Sequence, residues 1–345
     1  MNRKKFISTV LPLTAAVATI GQSNDSTNTE RYLQEAESAR QPPFLKAGDT
    51  VGITCPAGFV TMDEIQPAVR KLQEWGFMVK VDNTVGKRDN SFGGTDEERL
   101  AGLQQMLDDK EIRAILSARG GYGLIRIIDR LNFDKFKQYP KWVIGFSDLT
   151  VIHSHIHSRL QIASIHSKMC SSFPVNTIDA DITQLQSIDS IHDCLSGKKM
   201  EYPVQPNIQN RPGRATGQLV GGNLKILESL AGTISDIDTR NKILFIEDTG
   251  EYLYSIDRMC WNLERTGKLK HLGGLIIGGF RVKPDDPGEE FGKSVEEIIL
   301  EKVRKYNYPV CFGFPVGHQK HNLALKCGVR HQLTVTDNMV TLIES

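Results

Sequence analysis

Three short segments of this chain each place a reactive side chain directly after an apolar run. In Lys141-Trp-Val-Ile-Gly-Phe-Ser147-Asp-Leu-Thr150 the run passes through Gly145 to a serine and then into a helix-like stretch. In Lys242-Ile-Leu-Phe-Ile-Glu247-Asp248 two carboxylates follow the run, and in Gly313-Phe-Pro-Val-Gly317-His318-Gln-Lys-His321-Asn322 two histidines occupy a loop flanked by glycine and proline. A hydroxyl, an imidazole and a carboxylate are the parts of nucleophilic acyl transfer: the base takes the serine proton and the acid holds the base in the right tautomer. A serine on a sharp strand-to-helix turn exposes its Oγ beside backbone N–H groups, although Ser147 or Asp148 would serve equally well as a helix cap. Glu247 and Asp248 share one strand end, and His318 competes with His321 for the base.

The order serine, glutamate, histidine is that of the α/β-hydrolases, but Leu149 stands where their G-x-S-x-G motif needs its last glycine. The loop Arg119-Gly120-Gly121-Tyr122-Gly123 lies between an expected strand and an expected helix. Its backbone N–H groups suit an anion and would complete an oxyanion hole. Neither G-x-G-x-x-G nor G-x-x-x-x-G-K-[ST] stands at any strand end, so a nucleotide site is not expected. The tract His153-Ser-His155-Ile-His157 looks like a metal ligand set, yet on a helix only His153 and His157 share a face. No strand-end carboxylate pairs with them, and neither a metal nor another cofactor is expected. Arg258 offers a bidentate fork for a substrate carboxylate, or pairs with Asp257 or Glu251 on its own helix. Tyr122 is a second candidate for substrate contact.

The elements that position these residues alternate. Val51 to Thr54 reads as a strand, and Ile65, Ala68, Val69, Leu72 and Trp75 recur at helical spacing before Gly76. Phe77 to Val81 (strand), Asp96 to Leu107 (helix), Ile112 to Ser117 (strand), a helix carrying Leu124, Ile127, Ile128 and Leu131, and Trp142 to Phe146 (strand) continue the pattern. It predicts an α/β fold: a parallel sheet flanked by helices over residues 45–172, with ligands beyond the carboxyl ends of its strands. Residues 173–214, polar and punctuated by proline, read as a linker region. Residues 215–345 then form a smaller α/β domain, with a Gly-Gly-Asn turn opening a helix, strands at Lys242 to Ile246 and Gly274 to Gly278, a helix near Ser255 to Arg265, and a final hairpin around Asp337-Asn338.

With 345 residues the chain exceeds one usual domain, which supports two. Its 42 Lys and Arg balance 41 Asp and Glu, which removes the footprint of a nucleic-acid partner. The six cysteines form no C-x-x-C pair. Residues 1–21 have a basic start, an apolar stretch and Ala16-Val17-Ala18, the features of a signal peptide, and residues 22–44 read as a polar tether. An exported, periplasmic protein with no membrane span after processing is expected.

Together the segments resemble the LD-carboxypeptidase family of serine peptidases, which includes muramoyltetrapeptide carboxypeptidase and the microcin C immunity peptidase. The matching residues are Gly94-Thr-Asp-Glu-Glu-Arg99, Ala118-Arg-Gly-Gly-Tyr-Gly123, Gly145-Phe-Ser-Asp-Leu-Thr150, Gly221-Gly-Asn-Leu224, Glu247-Asp-x-x-Glu251 with Ile256-Asp-Arg258, and Gly317-His318 followed by Asn322. The resemblance implies Ser147 as nucleophile, Glu247 and His318 as its partners, and the amides of Gly121 and Asp148 as the oxyanion hole. It also implies a metal-free homodimer acting on a muropeptide or other small peptide, releasing terminal D-alanine from cell-wall tetrapeptides across an L,D amide. Peptide-nucleotide antibiotics are the alternative substrates, and a non-catalytic two-lobed binding protein is the alternative class. One segment departs: where the family commonly has His-Gly-Pro, this chain has His166-Ser167-Lys168.

Overall fold

The computed structural model describes residues 38–176 and 180–345. The expected signal peptide and residues 22–37 of the expected tether lie outside the described residues. From Ala39 onward the chain is packed: Ala39 N–H donates to Gly328 O, Arg40 N–H to Gln161 O, and the Trp142 indole to Pro43 O. Order therefore begins ahead of the expected first strand, because Ala39 and Leu45 are apolar enough to be buried.

The first sheet has six strands: β1 (Thr50–Thr54), β2 (Met78–Val81), β3 (Ile112–Ser117), β4 (Trp142–Gly145), β5 (Ser164–His166) and, from far along the chain, β11 (Leu325–Cys327). Their order is β11-β5-β4-β3-β1-β2. All neighbours run parallel except β11, which closes the edge antiparallel to β5. The second sheet has seven strands, in the order β10-β9-β8-β7-β12-β13-β6. Its members are β6 (Glu201–Val204), β7 (Gly213–Asn223), β8 (Ile243–Glu251), β9 (Gly274–Val282), β10 (Val310–Cys311), β12 (Arg330–Val335) and β13 (Val340–Glu344).

Helices cover the sheets because their sequences carry both the stripe and the stops. α1 (Met62–Glu74) and α2 (Asp96–Asp108) each begin with a capping box, Thr61 with Glu64 and Thr95 with Glu98, which satisfies amide donors that a helix start leaves orphaned. α3 (Asp134–Gln138) is a short turn, and α4 (Thr150–Leu160) follows the candidate nucleophile. The helix expected after Gly123 is two 3₁₀ turns, Leu124–Arg126 and Ile128–Arg130. The expected linker holds α5 (Ile182–Leu195) and β6, whose polar residues share faces with buried Ile188, Ile191 and Leu195. α6 (Leu224–Ser229), α7 (Leu253–Arg265) and α8 (Val295–Val303) complete the second half.

One apolar core joins the two sheets. Val51, Ile53, Trp142 and Ile144 of the first belong to the same buried cluster as Leu219, Phe245, Ile276 and Leu333 of the second. Strand β7 is shared in another sense: its first half pairs antiparallel with β12 and its second half parallel with β8. The β7–β8 register sets Asn223 beside Glu247, and Glu247, expected at a strand end, lies midway along β8 because that strand continues to Glu251.

That parallel pairing is close. A Cβ on Gly221 would stand 1.9 Å from the Phe245 carbonyl oxygen, at a φ of 146°. Gly221→Ala should therefore cost about 3 kcal/mol or more, while Gly232→Ala, at φ 80° with open space around it, should cost about 1 kcal/mol. Denaturant melts of the two variants check this, and equal costs would contradict it.

Candidate active site

β4 ends at Gly145, and two residues later Ser147 takes a φ of 62°, a left-handed conformation that costs free energy for a residue with a Cβ. The turn is held from two sides. His153, one helical turn into α4, donates from Nε2 to Gly145 O at 2.9 Å. Burial holds its pKa down, to about 4, so the ring stays neutral as a fixed donor. Asp148, buried, accepts the Leu124 N–H at 2.8 Å and so ties the serine turn to the glycine loop.

Arg99, wholly buried, ties the same loop to the turn after β1 by donating to Pro56 O at 2.8 Å and Gly123 O at 3.0 Å. The loop lies against Ser147: a Cβ on Gly120 would stand 3.1 Å from Ser147 Cβ and 3.4 Å from its Oγ. Gly121 follows at a φ of 101°. The backbone at Gly120 thus lies beside the Ser147 side chain.

Glu247 is completely buried, and its Oε2 accepts two bonds from one residue: the His318 backbone N–H at 3.1 Å and the His318 Nδ1–H at 2.5 Å. The second sheet is irregular here. Ile246 pairs with Ile277 but Asp248 with Phe280, so β9 advances three residues while β8 advances two. The extra residue falls at Gly278-Gly279, and Gly279 bridges to Gly317 in the histidine loop. Gly317 takes a φ of 94°, and a Cβ there would stand 2.4 Å from Glu247 Cβ. No other residue lets the loop pass so close to the acid. Buried Asn322 accepts the Gly317 N–H at 2.9 Å and holds the loop from its far end.

The imidazole packs on Phe146, the residue before Ser147, with ring centroids 4.8 Å apart. Phe146 and His318 line a cavity of about 630 Å³ with Lys168, Arg281, Gln319 and Lys320. No hydrogen bond joins Ser147 to His318 among the described residues; serine–base contacts commonly tighten only when substrate is bound. The two halves of the site are joined nearby, where the Asn223 N–H donates to Thr150 Oγ1 at 3.0 Å.

The other candidates separate from this cluster. His321 makes no bond to Glu247; burial lowers its pKa, with Asp181 opposing and Lys168 reinforcing the shift. Asp248 is occupied by Asn223 Nδ2 and Lys225 N–H, each at 3.0 Å, and burial pushes its carboxyl up to about 6. Arg258 lies over the Tyr254 ring at 5.3 Å, while Asp257 pairs with Lys302 and Glu251 accepts from Ser255. Neither own-helix ion pair expected for Arg258 is formed, and the residue does not line the His318 cavity. Tyr122 is exposed, packs on Phe92, and lines a cavity of about 370 Å³ with Gly58, Gly121, Arg88 and Arg119.

The histidine tract has separate partners: His155 meets Ser235 Oγ at 2.9 Å and His157 meets Lys242 Nζ at 3.4 Å. Among the described residues no group of three or more His, Cys, Asp or Glu is placed to hold a metal. Sequence reasoning passed over Lys168 as a site residue and Arg281 altogether. Arg281 stands near the end of β9, which runs four residues beyond the Gly278 at which the expected strand stops.

A model of the LD-carboxypeptidase N-terminal domain matches residues 51–167, and one of the C-terminal domain matches residues 216–333. The chain is 32% identical over 308 residues to the probable murein peptide carboxypeptidase of Bacillus subtilis, covering 88% of this chain and 94% of that protein. It is 30% identical over 283 residues to the murein tetrapeptide carboxypeptidase of Pseudomonas aeruginosa, covering 81% and 91%. The crystal structure of muramoyltetrapeptide carboxypeptidase from Oxalobacter formigenes superposes with a TM-score of 0.76 at 27% identity, covering 86% of this chain and 99% of that one.

The Asp148 tie has a pH signature. Burial raises its carboxyl from the ordinary 3.8 to about 6, against the opposing pull of the Leu124 and Gly123 amides and the Arg99 charge. The folded state thus binds this proton more tightly than the unfolded chain, so stability falls as pH rises from about 4 to about 6, by roughly 3 kcal/mol in all. Asp148→Asn keeps an acceptor and has no proton to lose. Its melting temperature relative to wild type should climb across that window, and a pH-independent difference would show that Asp148 is not the titrating group.

Proposed function

The chain belongs to the LD-carboxypeptidase family of serine peptidases, and from that premise we propose that it hydrolyses the L,D amide bond that joins a diamino acid to the terminal D-alanine of a cell-wall tetrapeptide. The observation that carries the mechanism is the buried Glu247 carboxylate bound to His318 Nδ1, with the imidazole packed on the residue that precedes Ser147. That bond fixes the tautomer. With Nδ1 protonated and donating, Nε2 carries the lone pair and accepts the Ser147 proton as Oγ attacks the carbonyl carbon.

The carbonyl π electrons move to oxygen, and the N–H groups of Gly121 and Asp148 receive the oxyanion in a preorganised site. Collapse breaks the C–N bond, and His318 delivers the proton to the departing D-alanine nitrogen. Water, deprotonated by the same imidazole, then cleaves the acyl ester and regenerates Ser147. His318 returns the water proton to Ser147 Oγ, so the original serine proton leaves on D-alanine and one from water takes its place. Export would bring such an enzyme to its cell-wall substrate, and a homodimer is the proposed assembly.

Incubation with purified muropeptides, read by mass spectrometry, should show the loss of one alanine from tetrapeptides. An unchanged profile would remove the cell-wall reading and leave amide antibiotics as the substrates to try. With a cleaved substrate, Ser147→Ala should lower turnover by about 10⁶ and Glu247→Gln by about 10⁴, because the acid orients the base while the serine forms the intermediate. Full activity in Glu247→Gln would contradict the role given to the acid.

A further inference from the structure

If the triad works as proposed, the direction of proton delivery orients the substrate. His318 hands its proton to the leaving nitrogen, so the leaving group must lie on the imidazole side of Ser147 and the acyl group on the other. Two cavities flank the serine segment. One is lined by Phe146 and His318, the other by the glycine loop through Gly58, Gly121 and Tyr122. The leaving amino acid therefore belongs in the first.

That cavity is built for an anion. Three of its six lining residues are Lys168, Arg281 and Lys320, and none is an aspartate or glutamate. Lys168 is half-buried and spends one Nζ–H on a backbone oxygen, Gln319 O at 2.8 Å, with no carboxylate beside it among the described residues. Burial disfavours its charged form, a cost that an arriving carboxylate would offset. Arg281 is exposed at the end of β9 and forms no ion pair among the described residues. Lys320 meets only the exposed carboxylate of Asp181, at 3.9 Å, a pairing too solvated to hold it. Two cations without carboxylate partners facing one cavity beside the base, with an aromatic wall, match a small amino acid whose α-carboxylate is free.

We infer that Lys168 and Arg281 bind the free carboxylate of the leaving amino acid and so make the enzyme an exopeptidase. The inference rests on the triad reading above and adds the residues that select the substrate end. Both are positioning residues: they hold the leaving group so that its nitrogen faces His318.

The test compares a D-alanine-terminated tetrapeptide with its C-terminal amide, both cleavable at the same bond. In the wild type kcat/KM for the acid should exceed that for the amide by about a hundredfold, as when a site's polar groups lose their partner. In Lys168→Met and Arg281→Met the ratio should fall by about tenfold each, and Lys168→Arg should restore most of it. Lys168 also pins the histidine loop, and a loss of that structural role would lower both substrates together and leave the ratio unmoved. Binding supplies the second readout: Ser147→Ala protein titrated calorimetrically should hold the acid more tightly than the amide, and adding Lys168→Met or Arg281→Met should erase the difference. A wild type that cleaves acid and amide equally, or variants that keep the wild-type ratio, would overturn the carboxylate site while leaving the triad standing. A wild type that cleaves neither peptide would overturn the peptidase reading and this inference with it.

Discussion

A carboxylate taken wholly out of water needs hydrogen-bond donors, and those that Glu247 finds, both on Oε2 while Oε1 has none among the described residues, come from a single residue, His318, through backbone and ring. Much of the second sheet is arranged around that contact. The extra residue of β9 opens the sheet beside Glu247, Gly317 lets the loop approach at a distance no side chain tolerates, and Asn322 fixes the loop's far end. Gly278 shows the same crowding, since a Cβ there would stand 2.4 Å from Val316 O. Removing the imidazole would leave the buried acid with the His318 backbone N–H alone, so the contact that orients the ring also holds the loop that carries it.

The first sheet solves the complementary problem of holding a strained serine. Ser147 pays for its left-handed backbone through restraints that are themselves buried: His153 on Gly145, Asp148 on Leu124, and Arg99 on Gly123. These also set the glycine loop against Ser147. Because one apolar core spans both sheets and Thr150 receives the Asn223 amide, the serine turn and the acid–imidazole pair are held by the same packed body. Positioning to a fraction of an ångström is what such a mechanism requires.

Residues with local causes were legible in the sequence. Apolar runs that lead into Ser147 and Glu247 announce buried strands, and Asp63 and Glu64 mark the start of α1. What the sequence hid depends on contacts between distant segments. Nothing near Glu247 signals the irregular β9 register, and nothing near Leu325 signals that β11 leaves its neighbours to close the first sheet beside β5. The stretch after Gly123 has helical spacing, yet its backbone is drawn into 3₁₀ turns where Asp148 takes the Leu124 amide. α5 escaped notice because Gln184, Gln186, Ser187 and Ser190 dilute its apolar stripe, even though Ser187 and Ser190 use their hydroxyls to receive the amides of Asn322 and Ala324. The choice between His318 and His321 likewise waits on the fold, since only the path of the loop past Gly317 decides which ring reaches Glu247.

The central claim is that Glu247-bound His318 activates Ser147, and covalent trapping tests it without knowledge of the substrate. A fluorophosphonate reacts with a serine only where a base draws off its proton. Intact-mass and peptide mapping should place one adduct on Ser147 in the wild type and in His321→Ala, with the rate of labelling lower by at least about a thousandfold in His318→Ala. An adduct on another residue, or labelling abolished by His321→Ala and retained by His318→Ala, would contradict the account.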